Sequence, residues 1–336
     1  MIRLLSRLLL LTLLLAGLLA GAAWWWLGQP LVLPATTTAE QPLAVEIPPG
    51  ASARGVASAL TGAGVQAPPL LLQAWFRLSG QSRAIKAGIY EIQPGATPRS
   101  LLRQLVRGEQ ALRSLTLLEG WNFRELMAAV RASPDLTQDL EGLDGAGIMA
   151  KIGYPGRHPE GRFFPDTYRM VRQAPASSVL KQAAQAMEQR LAQAWEQRDP
   201  ATLLHSPDEA LILASIIEKE TGAEADRAMV GGVFNNRLRI GMRLQTDPTV
   251  IYGLGERFDG NLRKIDLQTD TPYNSYTRAG LPPTPISMPG WASLLAAVKP
   301  ADTRALYFVA RGDGSSQFST NLDEHNAAVR KFQLQK

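Results

Sequence analysis

The chain has 336 residues, 45% apolar and 19% charged, which excludes a disordered polypeptide and exceeds what one ordinary core holds. Its 35 basic and 30 acidic side chains leave a net charge of +5, too mild to argue for a nucleic-acid partner. There is no cysteine, which excludes disulfides and thiolate metal sites and suits an oxidising compartment; the three histidines, His158, His205 and His325, lack the HExxH spacing of a zinc peptidase.

In chain order, Arg3 and Arg7 precede a charge-free run from Leu8 to Leu27. About 20 apolar residues span a bilayer as a helix. Residues 1–28 therefore read as a cytoplasmic tip and a single transmembrane anchor, with the positive-inside rule placing the rest of the chain outside. A cleaved signal peptide is the alternative, because Ala20-Gly21-Ala22 resembles a small-residue cleavage site. The length of the run favours the anchor, as do Trp24, Trp25 and Trp26 where an interfacial aromatic belt belongs. Residues 29–44, rich in Pro and Thr, read as a linker.

Residues 45–110 hold a weak repeat. "EIPPGASARGVASAL" (46–60) and "EIQPGATPRSLLRQL" (91–105) share seven identical positions at an offset of 45. Each copy predicts a strand, a Pro-Gly turn, a Ser or Thr cap and an amphipathic helix. "TLLEGWNFREL" (116–126) is a fainter version that keeps the Gly-to-Arg spacing in Gly120 and Arg124. Two good copies are too few for a solenoid and predict a small β-α module. In shape and turn chemistry the module resembles LysM, a βααβ unit that binds N-acetylglucosamine-containing glycans; a spacer or docking domain is the plainer reading.

Residues 111–336 mix long helices with short strands, so the fold class expected for the whole is α+β. An amphipathic helix is expected over 177–199. In "SPDEALILASIIEKETG", Ser206 is the predicted N-cap, Pro207 opens the helix, Glu209 completes a capping box and Gly222 stops it, so the helix should cover about 207–221. Only Ser215 is polar between Ala210 and Ile217, which predicts a helix buried nearly all round. Glu218 and Glu220 at its end lie about 200° apart around the axis and cannot face one ligand atom together. Either would be partly desolvated, a condition that keeps a carboxyl protonated and able to act as a general acid. Periodicity does not choose between them, and a solvated "EKE" end is the plainer reading.

Next comes "VFNNRLRIGMRLQTDPTVIYGLG" (233–255), a helix stopped by Gly241 and a second, short one capped by Asp247 and Pro248. The prolines and glycines of "TPYNSYTRAGLPPTPISMPG" (271–290) predict an ordered loop carrying Tyr273, Asn274 and Tyr276, flat amphipathic surfaces of the kind that hold sugar rings. "ALYFVAR" and "SQFST" flank "GDGS" as a hairpin, and a last helix follows Asn321 with Arg330 and Lys331 near its end.

The motifs "ASIIEKET", "NNRLRIGMRLQTDPTVIYG", "YNSYTRAGLPPTPISMPG" and "FSTNLDEHN", with "EGRFFPDTY" at 160–168, together resemble the YceG-like family of endolytic murein transglycosylases over 111–336. Asn235 departs from the family pattern, which more often has an apolar residue there. The resemblance implies a single-pass inner-membrane lyase, with its LysM-like module and YceG-like catalytic domain on the periplasmic side. It cleaves the β-1,4 bond between N-acetylmuramic acid and N-acetylglucosamine in nascent peptidoglycan, leaves 1,6-anhydro ends and so terminates elongation. It also implies Glu218 as acid and base, since the nucleophile is the substrate's own C6 hydroxyl, and leaves Glu220 a structural role. Candidates for holding sugar or orienting Glu218 are Asn236, Gln245, Asp247, Tyr273, Asn274, Tyr276 and Glu160. Asp166 lines the cleft or forms a turn, and His325 is structural. No metal or organic cofactor is implied, and coupling to penicillin-binding proteins is. The competing readings are a non-enzymatic peptidoglycan-binding tether and a two-carboxylate muramidase in which Asp247 or Asp166 partners Glu218.

Overall fold

The computed structural model describes residues 2–334, and side chains from Leu10 onward; Met1, Gln335, Lys336 and the side chains of Arg3 and Arg7 lie outside the described residues. The α+β expectation holds: among the described residues there are thirteen α-helices, and eight short strands form four two-stranded sheets. The chain divides into two compact units, Met1–Arg113 and Ser114–Lys336.

The first unit opens with helix α1 (Ile2–Trp26). Among the described residues no helix is long and apolar enough to cross a membrane. The α1 side chains are described only from Leu10, and Leu10–Trp26 is shorter than the about 20 residues a span takes. Trp24 and Trp25 are exposed, whereas Trp26 packs on the module that follows and the Arg99 guanidinium lies 3.6 Å from the Trp24 ring centroid. The start of the expected linker is pinned rather than free: Leu31 N donates to Ala96 O at 2.7 Å, and Val32 bridges Gln66.

The module runs β1 (Leu43–Ile47), α2 (Ala53–Gly62), α3 (Pro69–Leu78), β2 (Gly88–Ile92) and α4 (Pro98–Arg107). The strands pair antiparallel with Val45 opposite Tyr90, and alternation sends Val45, Ile47, Tyr90 and Ile92 into the core. Both repeat copies fold as read. Gly50 and Gly95 take φ of 72° and 85°, the left-handed backbone the turn needs. Ser52 Oγ then accepts from Gly55 N, and Thr97 Oγ1 from Ser100 N, to start α2 and α4.

The faint third copy is real. Strand β3 (Leu112–Thr116) leads through Gly120, φ 77°, to Asn122, whose side chain caps α5 (Phe123–Ala132) in a full box with Glu125. After it come β4 (Leu136–Thr137), α6 (Gly145–Lys151), β5 (Thr167–Val171), β6 (Ala174–Pro175) and the amphipathic α7 (Ala176–Glu196). β3 pairs with β5 and β4 with β6. Then follow α8 (Pro207–Glu220), α9 (Glu224–Arg239), α10 (Asp247–Leu254), α11 (Lys264–Gln268), α12 (Trp291–Val298), the hairpin β7 (Tyr307–Ala310) with β8 (Ser316–Ser319), and α13 (Leu322–Phe332).

Helix α8 is the axis of the second unit, packed by α7, α9, α10 and α12. Leu211, Leu213, Ile216 and Ile217 are fully buried, each contributing about 1.5–3 kcal/mol, so its end is held rigidly. Three local readings are corrected. Glu209 does not complete the capping box but accepts from His205 N, one residue further back. Gly222 is not the stop; Thr221, extended at φ −141°, ends the helix. Asp247 is the first residue inside α10 rather than its cap, because its carboxylate is engaged elsewhere.

Candidate functional site

The C-terminal end of α8 meets two loops. Ser215, the one polar group in the apolar run, accepts from Ile286 N at 3.0 Å, and its carbonyl accepts from Ser287 Oγ at 3.0 Å. These bonds fix the end of the Pro-rich 271–290 segment along α8. That segment in turn holds the β3–α5 turn: Gly120 N donates to Met288 O at 2.9 Å and Met288 N to Trp121 O at 2.7 Å. Lys219 Nζ closes the triangle by donating to Gly120 O at 3.2 Å.

Glu218 sits where these pieces meet, with its side chain only 6% exposed. Its Oε2 accepts from Gly290 N at 2.9 Å, and its Oε1 lies 3.5 Å from an Arg227 nitrogen on α9. Glu220 faces another way. Its Oε1 accepts from Thr246 Oγ1, and Asp247 and Arg237 are its charged neighbours. Burial pushes the Glu220 carboxyl above the usual carboxylate range, helped by Asp247 and opposed by the Thr246 bond and Arg237.

The polar residues downstream gather on the Glu220 side. Tyr276 OH donates to Asp247 Oδ1 at 2.6 Å. Gln245 is exposed, with a left-handed backbone (φ 47°) fixed by its N–H on Ser275 O. A non-glycine residue held in that conformation marks a position shaped by its surroundings. Arg237 is buried and donates to Leu306 O and Leu244 O.

Other candidates are engaged within the fold. Asn236 Nδ2 donates to Thr303 O and Ala305 O, at 2.8 and 3.1 Å. Asn274 is buried, with Nδ2 on the carbonyls of Asp266, Leu267 and Thr269, so it shapes the loop from inside. Tyr273 OH bonds Thr284 Oγ1 at 2.8 Å, and its ring meets Tyr252 edge-on at 4.9 Å.

Glu160 is buried and accepts from Phe123 N, the first amide of α5, and from Tyr252 OH at 3.0 Å. Burial raises its carboxyl to about 7 against the pull of those bonds. Asp166 is exposed and bonds the next amide, Thr167 N, at 2.7 Å. His325 stacks on Tyr307 at 5.2 Å, and burial lowers its imidazole.

Three residues at these two sites escaped the reading of the sequence: Glu119, Arg227 and Thr246. Arg227 and Thr246 lie among ordinary helix and loop residues and carry no local signal. Glu119 does carry one, for it stands where both other repeat copies have proline before the turn glycine.

Comparison with known proteins agrees with this architecture. The sequence pattern of the YceG-like family matches residues 45–331. A Bacillus subtilis protein named endolytic murein transglycosylase is 30% identical over 327 residues, covering 91% of this chain and 89% of that one. A Streptococcus pneumoniae protein of the same name is 26% identical over 335 residues, and the match takes in 89% of this chain and 60% of that longer protein. The crystal structure of a YceG-like protein from Listeria monocytogenes superposes with a TM-score of 0.53 at 29% identity, over 84% of this chain and 98% of that one. This chain belongs to the YceG-like family.

Proposed function

We propose that the chain is a lyase, a peptidoglycan lytic transglycosylase, and that Glu218 is its acid and base. Relatives that share nearly the whole chain are named endolytic murein transglycosylase, which gives the substrate class. The observation that carries the mechanism is the divergence of the two acids on α8. Glu218 is held by Gly290 and Arg227, Glu220 by Thr246, so no single bond is flanked by both. Asp247 faces Tyr276, and Asp166 its own following amide, so neither suggested muramidase partner is aimed at Glu218. A lyase needs one carboxyl because the substrate brings its own nucleophile, whereas hydrolytic glycosidases usually need two.

In the proposed cycle, Glu218 gives its proton to the glycosidic oxygen between N-acetylmuramic acid and N-acetylglucosamine, and the C1–O bond breaks. The muramic C6 oxygen bonds to C1 and passes its proton to the Glu218 carboxylate. The product is a 1,6-anhydro ring, no water is consumed, and the carboxyl is ready for another turn. Tyr276, Asp247 and the outward-facing Gln245 are the polar edge on which sugar hydroxyls would be held.

The proposal includes the setting. The charge-free run Leu8–Leu27 behind two arginines supports a single-pass anchor with the rest of the chain on the periplasmic side. The strand–helix–helix–strand order of β1, α2, α3 and β2 supports a LysM-like, glycan-binding role for the module. The test is digestion of purified peptidoglycan by the full chain in detergent, with new glycan ends identified by mass spectrometry. Anhydro ends are expected. Reducing ends would make the protein a muramidase, and intact strands would make it a tether.

A further inference from the structure

The three strand–turn–helix copies share their turn glycine but not the residue before it. The first two read Pro49-Gly50 and Pro94-Gly95, and the third reads Glu119-Gly120. All three glycines are left-handed, so the turn is kept while a rigid imino acid is exchanged for a carboxylic acid. The exchange falls in the one copy that is bonded to the end of α8, through Lys219, and to Met288.

The consequence is a second carboxyl beside Glu218. Glu119 is largely exposed along its chain, but its carboxyl end rests on Gly290, where the Cβ of any other residue would run into it. The N–H of the same Gly290 donates to Glu218 Oε2 at 2.9 Å. The two carboxyl groups therefore meet on one glycine. The charged groups around them are Arg227 from α9, 3.5 Å from Glu218 Oε1, and Lys219 from α8, whose ammonium is engaged by Gly120 O; residues 286–290 bring none. Burial of its end and the charge of Glu218 push the Glu119 carboxyl up, while Arg227 pulls it back.

We propose that Glu119 is a positioning residue for this site: its carboxyl and that of Glu218 meet on Gly290 as one pair that shares a single proton, which Glu218 delivers to the glycosidic oxygen. Like charges on one site resist ionising together, and the pair titrates as a unit. The cation beside the pair is Arg227, whose guanidinium lies 3.5 Å from Glu218 Oε1. Glu119 opposes that cation without touching the reacting bond. The inference rests on the lytic transglycosylase reading and deepens it.

The experiment is a pH–rate profile for the full chain in detergent, scoring anhydro ends, in wild type, Glu119→Gln and Glu119→Asp. Removing the charge should move the basic limb of kcat/KM to lower pH by about one unit, since a nearby like charge shifts a carboxyl by that order. Activity lost near neutrality should return on acidification. Glu119→Asp keeps the charge and should keep the limb near its wild-type position. An unmoved limb in Glu119→Gln overturns the inference, whether the rate is unchanged or lowered equally at every pH. If the wild type itself yields no anhydro ends, the lyase reading fails; if it yields them and the limb stays put, only the Glu119 pairing fails.

Discussion

The two acids at the end of α8 are two residues apart and live in different chemistry. Glu218 meets a backbone N–H, a guanidinium and a second carboxyl, groups brought by three separate segments. Glu220 meets a hydroxyl in a buried pocket, and that burial pushes it toward the neutral acid. Helical rotation by about 200° is enough to put one buried side chain beside a backbone N–H and a guanidinium and the other beside a hydroxyl. Glu220 is raised by burial, yet the loops converge on Glu218.

The largest expected effect separates the two sides directly. Glu218→Gln should lower the release of anhydro ends by about 100- to 10,000-fold, the range that positioned general acids and bases contribute. Its thermal melt should stay close to wild type. Glu220→Gln places a neutral, same-shaped group where burial already favours the neutral acid, and should keep most of the rate. The reverse pattern, a working Glu218→Gln and a dead Glu220→Gln, would move the chemistry to the Thr246 side and break the assignment.

How much of this was legible in the sequence follows from what kind of signal each part leaves. Caps, turns and periodicity are local, so the copies at 46–60 and 91–105, the span of α8 and the final hairpin could be read from single stretches of chain. The divergence of Glu218 and Glu220 could be read too, being pure helix geometry. What faces each acid could not. Gly290 lies 72 residues from Glu218, and Thr246 lies 26 from Glu220, contacts made by loops whose paths depend on the packing of α8. Asn236 and Asn274 show the same limit. Polar residues near a candidate acid suggest sugar contacts, but their amides hold backbone carbonyls within the fold. Ser215 is the converse case: a lone polar residue in an apolar run signalled nothing, and it fixes the loop that reaches Glu218.

A third acid sharpens the contrast. Glu160 is driven up to about 7 chiefly by burial, and the bonds from Phe123 and Tyr252 only moderate the shift. Between its unfolded value of 4.5 and about 7, the folded protein keeps a proton that the unfolded chain has lost. Its contribution to stability is therefore fully present below about 4.5, declines as pH rises toward 7 and is lost above, in total about 3 kcal/mol. Glu160→Gln should remove that slope. Melting temperatures taken from pH 5 to 8 should fall more steeply for wild type than for the variant, and parallel curves would show that Glu160 is ionised at little cost. Glu220→Gln should flatten the curve in the same sense.

The smallest effect tests whether the third turn does more than its two siblings. Gly50 and Gly120 have almost the same backbone, φ 72° and 77°, and alanine at either would pay about 1–2 kcal/mol for left-handed geometry. At Gly50 nothing lies within 4 Å of an added Cβ. At Gly120 the Cβ would meet Lys219 Cδ at 3.8 Å and Glu218 Cγ at 4.0 Å, ordinary contacts that add no clash. The two alanine variants should therefore lose similar stability by denaturant titration. They should part in kcat. Relaxing the turn at Gly120 shifts the carbonyl that holds Lys219 and the carboxyl that rests on Gly290, and a displacement of that kind beside a general acid should slow the reaction by about tenfold. Gly50→Ala disturbs a turn with no link to α8 and should leave kcat unchanged. Equal kcat in both variants would reduce the third copy to scaffolding and would leave Glu218 to Gly290 and Arg227 alone.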